Sequence, residues 1–482
     1  MNQKFCVPLL LLLLVAGTRT TAQEQWDLLK CVNYALANNV SVKQADVQAR
    51  LSALTLRQNK LSQYPTANFS TNFGVNNGRS IDPTSNQFTT QQLLFSGYNL
   101  NTNMNVFNWF SLKNTIAGNE LDLKAAEANV DKLKNDIALN VATAYLLVLT
   151  SNEQVRISGV AVKQSQDNLY NTRKRVDAGT LPELNALDVE AQLARDSATL
   201  VTAKASLEQN KLQLKAVMNL DAATSFDVVM PPLDKIPVEK IGELQPDAVY
   251  ALALANMPLQ KVNDLKIKAG EKYVAAARGG LYPSVSLFGS LASNYANNKI
   301  PVVSQTPTGN FVNTGAKVNV GGTDYSVQAP LFNTSVTTRR DGFGKQLSEN
   351  FRQNVGFSLN VPIFNGGVNR IGWERSKLNL LNTQLQQNQD NQKLKQDIYL
   401  AYTNALTALQ KYNASLKTLS TSEKTFEFSQ KRYDVGLLST IDYLTSQNNL
   451  TRARYDVLSN QVDYVFRMKV LEFYKGLGIK LQ

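Results

Sequence analysis

Four short stretches of the chain alternate between apolar and polar residues. In 67–76, Ala67, Phe69, Thr71, Phe73 and Val75 oppose Asn68, Ser70, Asn72, Gly74 and Asn76. In 98–106, Tyr98, Leu100, Thr102, Met104 and Val106 face one way and Asn99, Asn101, Asn103 and Asn105 the other. In 354–361, Val355, Phe357, Leu359 and Val361 oppose Asn354, Gly356, Ser358 and Asn360, and 284–291 is similar except that Phe288 falls on its polar side. A period of two predicts strands with unlike faces. Elsewhere the period lengthens. Leu133, Ile137, Val141 and Ala144, and again Leu394, Ile398 and Tyr402, recur at the three- and four-residue spacing of a helix. The two long helical patterns, 108–176 and 366–433, contain no proline, and each predicts a helix of roughly 100 Å. Single helices are expected over 27–63 and 246–281. They stop at Tyr64-Pro65 and Tyr282-Pro283, where proline biases the preceding residue away from helix. Further helices over 183–219 and 440–476 follow glycine turns at Gly179 and Gly436.

These elements come in the same order twice. Tyr34 to Asn38 resembles Leu252 to Asn256, and Val106-Phe107-Asn108 resembles Ile363-Phe364-Asn365. Ala144-Tyr145 returns as Ala401-Tyr402, and Arg175, Asp177 and Gly179 return as Arg432, Asp434 and Gly436. The spacing between copies grows once, which places an insertion between Pro283 and Phe364. The chain thus divides into an export signal over 1–22, a first repeat over 23–219, a proline-bearing linker over 220–245 and a second repeat over 246–482. Each repeat reads as helix, two strands, long helix, short helix. The long helices imply a bundle flanked by stacked pairs of short helices.

The signal reading rests on Lys4, the apolar run from Val7 to Val15 and the small residues Thr20-Thr21-Ala22. Beyond it no apolar run approaches the ~18 residues of a spanning helix, so any membrane crossing must use strands. Apolar residues opposed by uncharged polar ones are the signature of a transmembrane barrel. A soluble sheet with one wet face is the competing reading, though such a face normally carries Lys, Glu and Thr rather than a row of asparagines. Four strands close no barrel of useful bore, and lipid tolerates no open edge. Several chains must then share one barrel, and three would supply twelve strands. The expected fold is therefore mostly α with a transmembrane β part. The segments 77–94 and 292–350 join paired strands on the extracellular side. The second either folds over the mouth or holds an extra hairpin.

Composition narrows the chemistry. Hydrophobic residues make up 43% and charged ones 18%, enough to fold. The net charge is +12, but basic residues are dispersed among acidic ones, unlike the stripe of a nucleic-acid binder. The absence of histidine removes the commonest metal ligand and general base, and no cofactor motif is present. Cys31, the one cysteine after the signal, reads as a small buried apolar residue.

Several blocks carry a family resemblance: Tyr282-Pro283, Pro362-Ile363-Phe364-Asn365-Gly366-Gly367, the run from Arg432 to Leu444, and Asn448 to Tyr455. Nearly the whole mature chain resembles the outer-membrane efflux, or TolC-like, proteins. The resemblance implies a homotrimeric, non-enzymatic duct with a barrel in outer-membrane lipid and a helical tunnel in the periplasm. Its implied partners are a periplasmic adaptor and an inner-membrane pump of RND or ABC type, for efflux or type I secretion. It also implies that Tyr433 and Asp442 belong to a periplasmic gate. Asp188 lies at the repeat position equivalent to Thr445, and Asn185 at that of Asp442, so each half supplies one acid. These acids line the pore or are merely solvated hairpin residues. The first repeat has Phe107-Asn108-Trp109-Phe110 where the second has its glycine pair, which predicts a gentler bend. Gly179 and Gly436 suit left-handed helix caps. Leu437 and Leu438 are expected to be exposed at the tip as adaptor contacts. The Arg175/Asp177 and Arg432/Asp434 pairs read as local ion pairs, or as adaptor-docking or gate-bracing residues. A periplasmic adaptor, a coiled-coil adhesin and an enzyme are the alternatives. An adaptor lacks four such strands, an adhesin has one terminal anchor, and an enzyme needs catalytic groups not found here.

Overall fold

In the computed structural model, residues 25–81, 87–90, 92–229, 236–297 and 299–476 are described. The signal segment 1–22 and the linker residues Pro231 and Pro232 lie outside them. The element order is β1 (Gln25–Trp26), α1 (Leu28–Asn38), α2 (Val40–Leu61), β2 (Thr66–Asn76), β3 (Arg79–Ile81), β4 (Phe88–Thr90), β5 (Leu93–Phe107), α3 (Ser111–Asp177), α4 (Glu183–Met218) and β6 (Asp227–Val228). It continues with α5 (Pro246–Asn256), α6 (Pro258–Gly279), β7 (Ser284–Ala296), β8 (Ile300–Val320), β9 (Thr323–Arg339), α7 (Phe343–Glu349), β10 (Arg352–Asn360), α8 (Val368–Asp434) and α9 (Thr440–Phe473). Two compact units result. Among the described residues, one holds those up to 56, within 117–271 and from 377 onward; the other holds those within 57–116 and 272–376.

The larger unit is helical and has two cores that are copies of each other. Val141, Ala144 and Val148 on α3 correspond to Ile398, Ala401 and Ala405 on α8, Ala35 corresponds to Ala253, and Leu214 to Leu471. All are buried, and each large one contributes about 1.5–3 kcal/mol. The first core also takes Cys31, Phe226 and Val228, together with Leu458 and Val462 from α9. The second takes Met468 and Leu471 from α9. The ends of α4 and α9 hold the connecting chain by equivalent residues of opposite charge. Lys215 Nζ donates to the carbonyls of Ala222 and Thr224, and Glu472 Oε1 accepts from Glu239 N.

The expected single helices over 27–63 and 246–281 are each broken once. Asn39 and Met257, at equivalent positions, are extended. Met257 precedes Pro258, which excludes the helical conformation. Asn39 uses its side chain instead: Oδ1 accepts from Ser41 N and Nδ2 donates to Val217 O.

The smaller unit contains a four-stranded antiparallel sheet in the order β10-β7-β5-β2. Two hairpins, β3–β4 and the much longer β8–β9, occupy the predicted connections, so 292–350 does hold an extra hairpin, with α7 after it. Gln346 anchors α7 through bonds to Ala296 and to Asp341 O, and Ser293 Oγ donates to Leu347 O.

Without the glycine pair, the bend into the first long helix is expected to be gentler than the second. Trp109 and Phe110 have φ of 50° and 59°, matching Gly366 and Gly367 at 63° and 80°, so both bends use the same left-handed pair. For L residues that conformation costs roughly 1–2 kcal/mol each. Ring contacts offset it: Trp109 lies 4.9 Å from Tyr282, and Phe107 lies 5.5 and 5.6 Å from Trp109 and Phe110. Such pairs contribute about 0.5–1.5 kcal/mol apiece. Ser111 Oγ then secures the start of α3 by donating to Ala276 O.

Candidate functional site

The sheet presents two chemically opposite faces. Directly paired residues in an antiparallel sheet share a face, and the register joins Phe69 to Leu100 to Leu291, then Met104 to Leu287 to Phe357. These side chains form one apolar face, on which Phe69, Val355 and Phe357 are largely exposed. The other face carries Asn99, Asn101, Asn103 and Asn105 beside Asn68, Ser286 and Ser290. Phe288 fits on this polar face because its ring fills the space over Gly356 on the paired strand, where a Cβ would come within 2.9 Å of it. Phe95 covers Gly74 in the same way, at 2.8 Å. Val106, expected on the apolar face, is instead the extra residue of a bulge. Asn105 pairs with Ser286, and Phe107 with Val285.

Aromatic clusters bracket the apolar band. Phe107, Trp109 and Tyr282 lie at the helix end. At the loop end, Phe343 packs against Tyr98 and Tyr295 at 6.3 and 5.3 Å. Between Tyr98 and Phe107 the strand advances about 30 Å. With a tilt of about 40° the band is roughly 23 Å tall, close to the lipid-facing band of outer-membrane barrels. β10 and β2 each leave an edge of the sheet open.

The second constellation is built at the α8–α9 and α3–α4 turns. Gly179 and Gly436 have φ of 70° and 78° and close matching caps. Gly179 N donates to Val176 O and Thr180 N to Arg175 O; Gly436 N donates to Tyr433 O and Leu437 N to Arg432 O. Tyr433 stacks on buried Tyr443 at 4.5 Å, and its hydroxyl lies 3.3 Å from that of Thr172 on α3 and accepts from Thr440 at 3.5 Å. Tyr443 donates to Asn168 Oδ1, and its burial raises its pKa above the ordinary phenol value. The arginines do not form the expected local ion pairs. Arg175 lies over the Tyr433 ring, and Arg432 donates to Leu437 O. Asp442 is exposed and accepts from the Ser439 hydroxyl, while its own N–H donates back to Ser439 Oγ, a reciprocal helix cap. Asp188 is half-buried on the other hairpin. Leu437 is 69% exposed as expected, but Leu438 is not: it packs against the cluster of Val189, Phe426, Tyr443, Leu444 and Leu450. Thr172, Tyr443 and Ser439 were missed from sequence. Only Ser439, three residues before an acid at a helix start, carried a readable signal.

A one-sided strand band of membrane height, attached to long helices in a duplicated chain, defines a membrane channel component of outer-membrane type. The outer membrane efflux protein family matches residues 31–220 and 249–465, one stretch in each repeat. The chain therefore belongs to the outer membrane efflux proteins and resides in the outer membrane. It is 21% identical over 366 residues to outer membrane efflux protein BepC of Brucella suis, covering 75% of this chain and 68% of that one. Identity to outer membrane protein TolC of Escherichia coli is 21% over 336 residues, covering 68% of this chain and 60% of that protein. The fold also matches the outer membrane channel CmeC of Campylobacter jejuni with a TM-score of 0.71 at 17% identity, over 94% of this chain and 86% of that one.

Proposed function

We propose that three copies of the chain form a passive duct through the outer membrane, the exit of a tripartite efflux pump or a type I secretion system. The observation that carries this reading is the sheet with one apolar face and two open edges. Lipid tolerates neither edge, so β10 of one copy pairs with β2 of the next. Twelve strands then enclose a lumen lined by Asn99, Asn101, Asn103 and Asn105. The helical part extends into the periplasm. There the tips at Gly179, Gly436 and Leu437 meet an adaptor protein, which couples the duct to an inner-membrane pump. Leu438 supports Leu437 from within the hairpin. Tyr433 and Asp442, with Asp188 as a second acid, form the resting constriction. Carboxylates gathered around an axis favour cations and resist crowding. The repeats over 23–219 and 246–482, joined by 220–245, make each copy internally two-fold. The chain transports and does not catalyse. Native mass in detergent tests this: three chains per particle is the expected result, and a single chain that still opens full-size pores overturns the reading.

A further inference from the structure

Nothing in the proposed duct requires the β8–β9 hairpin. Its strands are 21 and 17 residues long. Eleven large hydrophobic side chains on it are exposed. A two-stranded hairpin is at best marginally stable in water, and so much apolar surface exceeds what a monomer leaves uncovered.

The register shows how that surface is arranged. Near the base, Val303, Val336, Phe332 and Phe311 share one face. Near the tip the apolar residues are on the opposite face, where Val318 pairs with Tyr325 and Val312 with Ala329; Val327 lies between these pairs and Leu331 next to the second, on its base side. Two bulges separate base from tip, each at a Thr-Gly with the glycine left-handed: Gly309 at φ 77° and Gly315 at φ 76°. Thr308 and Thr314 pin them by donating to Leu331 O and Val327 O. The motif itself is doubled, since Thr308-Gly309-Asn310-Phe311-Val312-Asn313 is followed by Thr314-Gly315-Ala316-Lys317-Val318-Asn319. A two-stranded ribbon twists strongly to the right, and bulges add to the twist. A stripe that changes face as the ribbon turns over keeps one direction in space.

The hairpin is thus built to be covered along one side. Its edges are poor sites for a further strand, because Pro307, Pro330 and the bulges interrupt them. The faces remain. The hairpin leaves the sheet between β7 and β10, one strand from the edge that another copy must pair. Four strands per copy at about 4.8 Å set successive hairpins roughly 20 Å apart around the rim, while β8 is about 65 Å long. Hairpins so long and so closely rooted fall within reach of each other.

We propose that the β8–β9 hairpins of the copies in one channel pack together through this stripe, forming an apolar-cored collar beyond the outer rim. The proposal rests on the shared-barrel reading. The test places single cysteines at Val318 or Leu331 on the stripe and at Gln328 on the reverse face, in outer-membrane fractions treated with a short bis-maleimide. Cys31 does not interfere, since burial pushes its thiol up to about 12. Stripe variants are expected to give covalent two- and three-chain bands in denaturing gels, and Gln328→Cys at least tenfold less. Equal joining at all three positions, or none at the stripe, overturns the collar. Native mass measured alongside separates the failures: three chains per particle without stripe joining removes the collar alone, and one chain per particle removes the shared barrel as well.

Discussion

Tyr433 is held at both its ring and its hydroxyl. The stack on Tyr443 and the overlying Arg175 fix the plane, and the hydroxyl meets Thr172 and Thr440. Removing the hydroxyl therefore deletes hydrogen bonds worth about 1 kcal/mol without disturbing the stack. In the proposed three-copy duct, that is enough to shift the proposed two-state closure. Tyr433→Phe should raise single-channel conductance in planar bilayers, and an unchanged conductance would remove Tyr433 from the gate. Asp442 has two jobs, since it caps α9 as well as carrying charge. Asp442→Asn is the cleaner test, because it keeps the acceptor and loses only the charge. It should weaken block by trivalent cations, with Asp188→Asn as the matched comparison. If neither changes block, the acidic ring lies elsewhere. The cap at Asp442 was readable from Ser439 three residues before it. The stack beneath Tyr433 was not, because helical periodicity marks Tyr443 as inward-facing without saying what it meets.

Among elements, the strands make the firmest prediction. Leu100 pairs with Leu291 on the apolar face, whereas Asn101 pairs with Ser290 on the polar one. Asn101→Cys and Asn103→Cys should react quickly with small water-soluble thiol reagents, and Leu100→Cys slowly. The reverse alternation would mean that lipid lies on the polar side. Gly356→Val should displace the Phe288 ring and destabilise the proposed trimer by about 1–3 kcal/mol, read as a lower temperature for its dissociation in gels. All four strands were legible, because a period of two survives any tertiary context. The bulge at Val106 was not, since an inserted residue leaves the composition of both faces intact. Pro258 announced the break in the second early helix. Asn39, which makes the same break by side-chain hydrogen bonds, could as well have been an ordinary helical asparagine.

For the whole molecule, the duplication was visible in the sequence and reappears as two matching cores. What the sequence did not reveal is that α9 completes both cores. Leu458 and Val462 of α9 complete the first core, and Met468 and Leu471 complete the second. At about 1.5–3 kcal/mol each, these four side chains approach the entire stability of a typical domain, about 5–15 kcal/mol. A chain ending before Thr440 should yield no protease-resistant helical unit, and a stable N-terminal half would contradict this. The ribosome makes α9 after the other elements of both cores, so neither core can settle before it has been synthesised. For a protein that must leave the compartment where it is made, this postponement keeps the chain threadable until α9 exists. The clock that releases folding is thus written into the position of one helix.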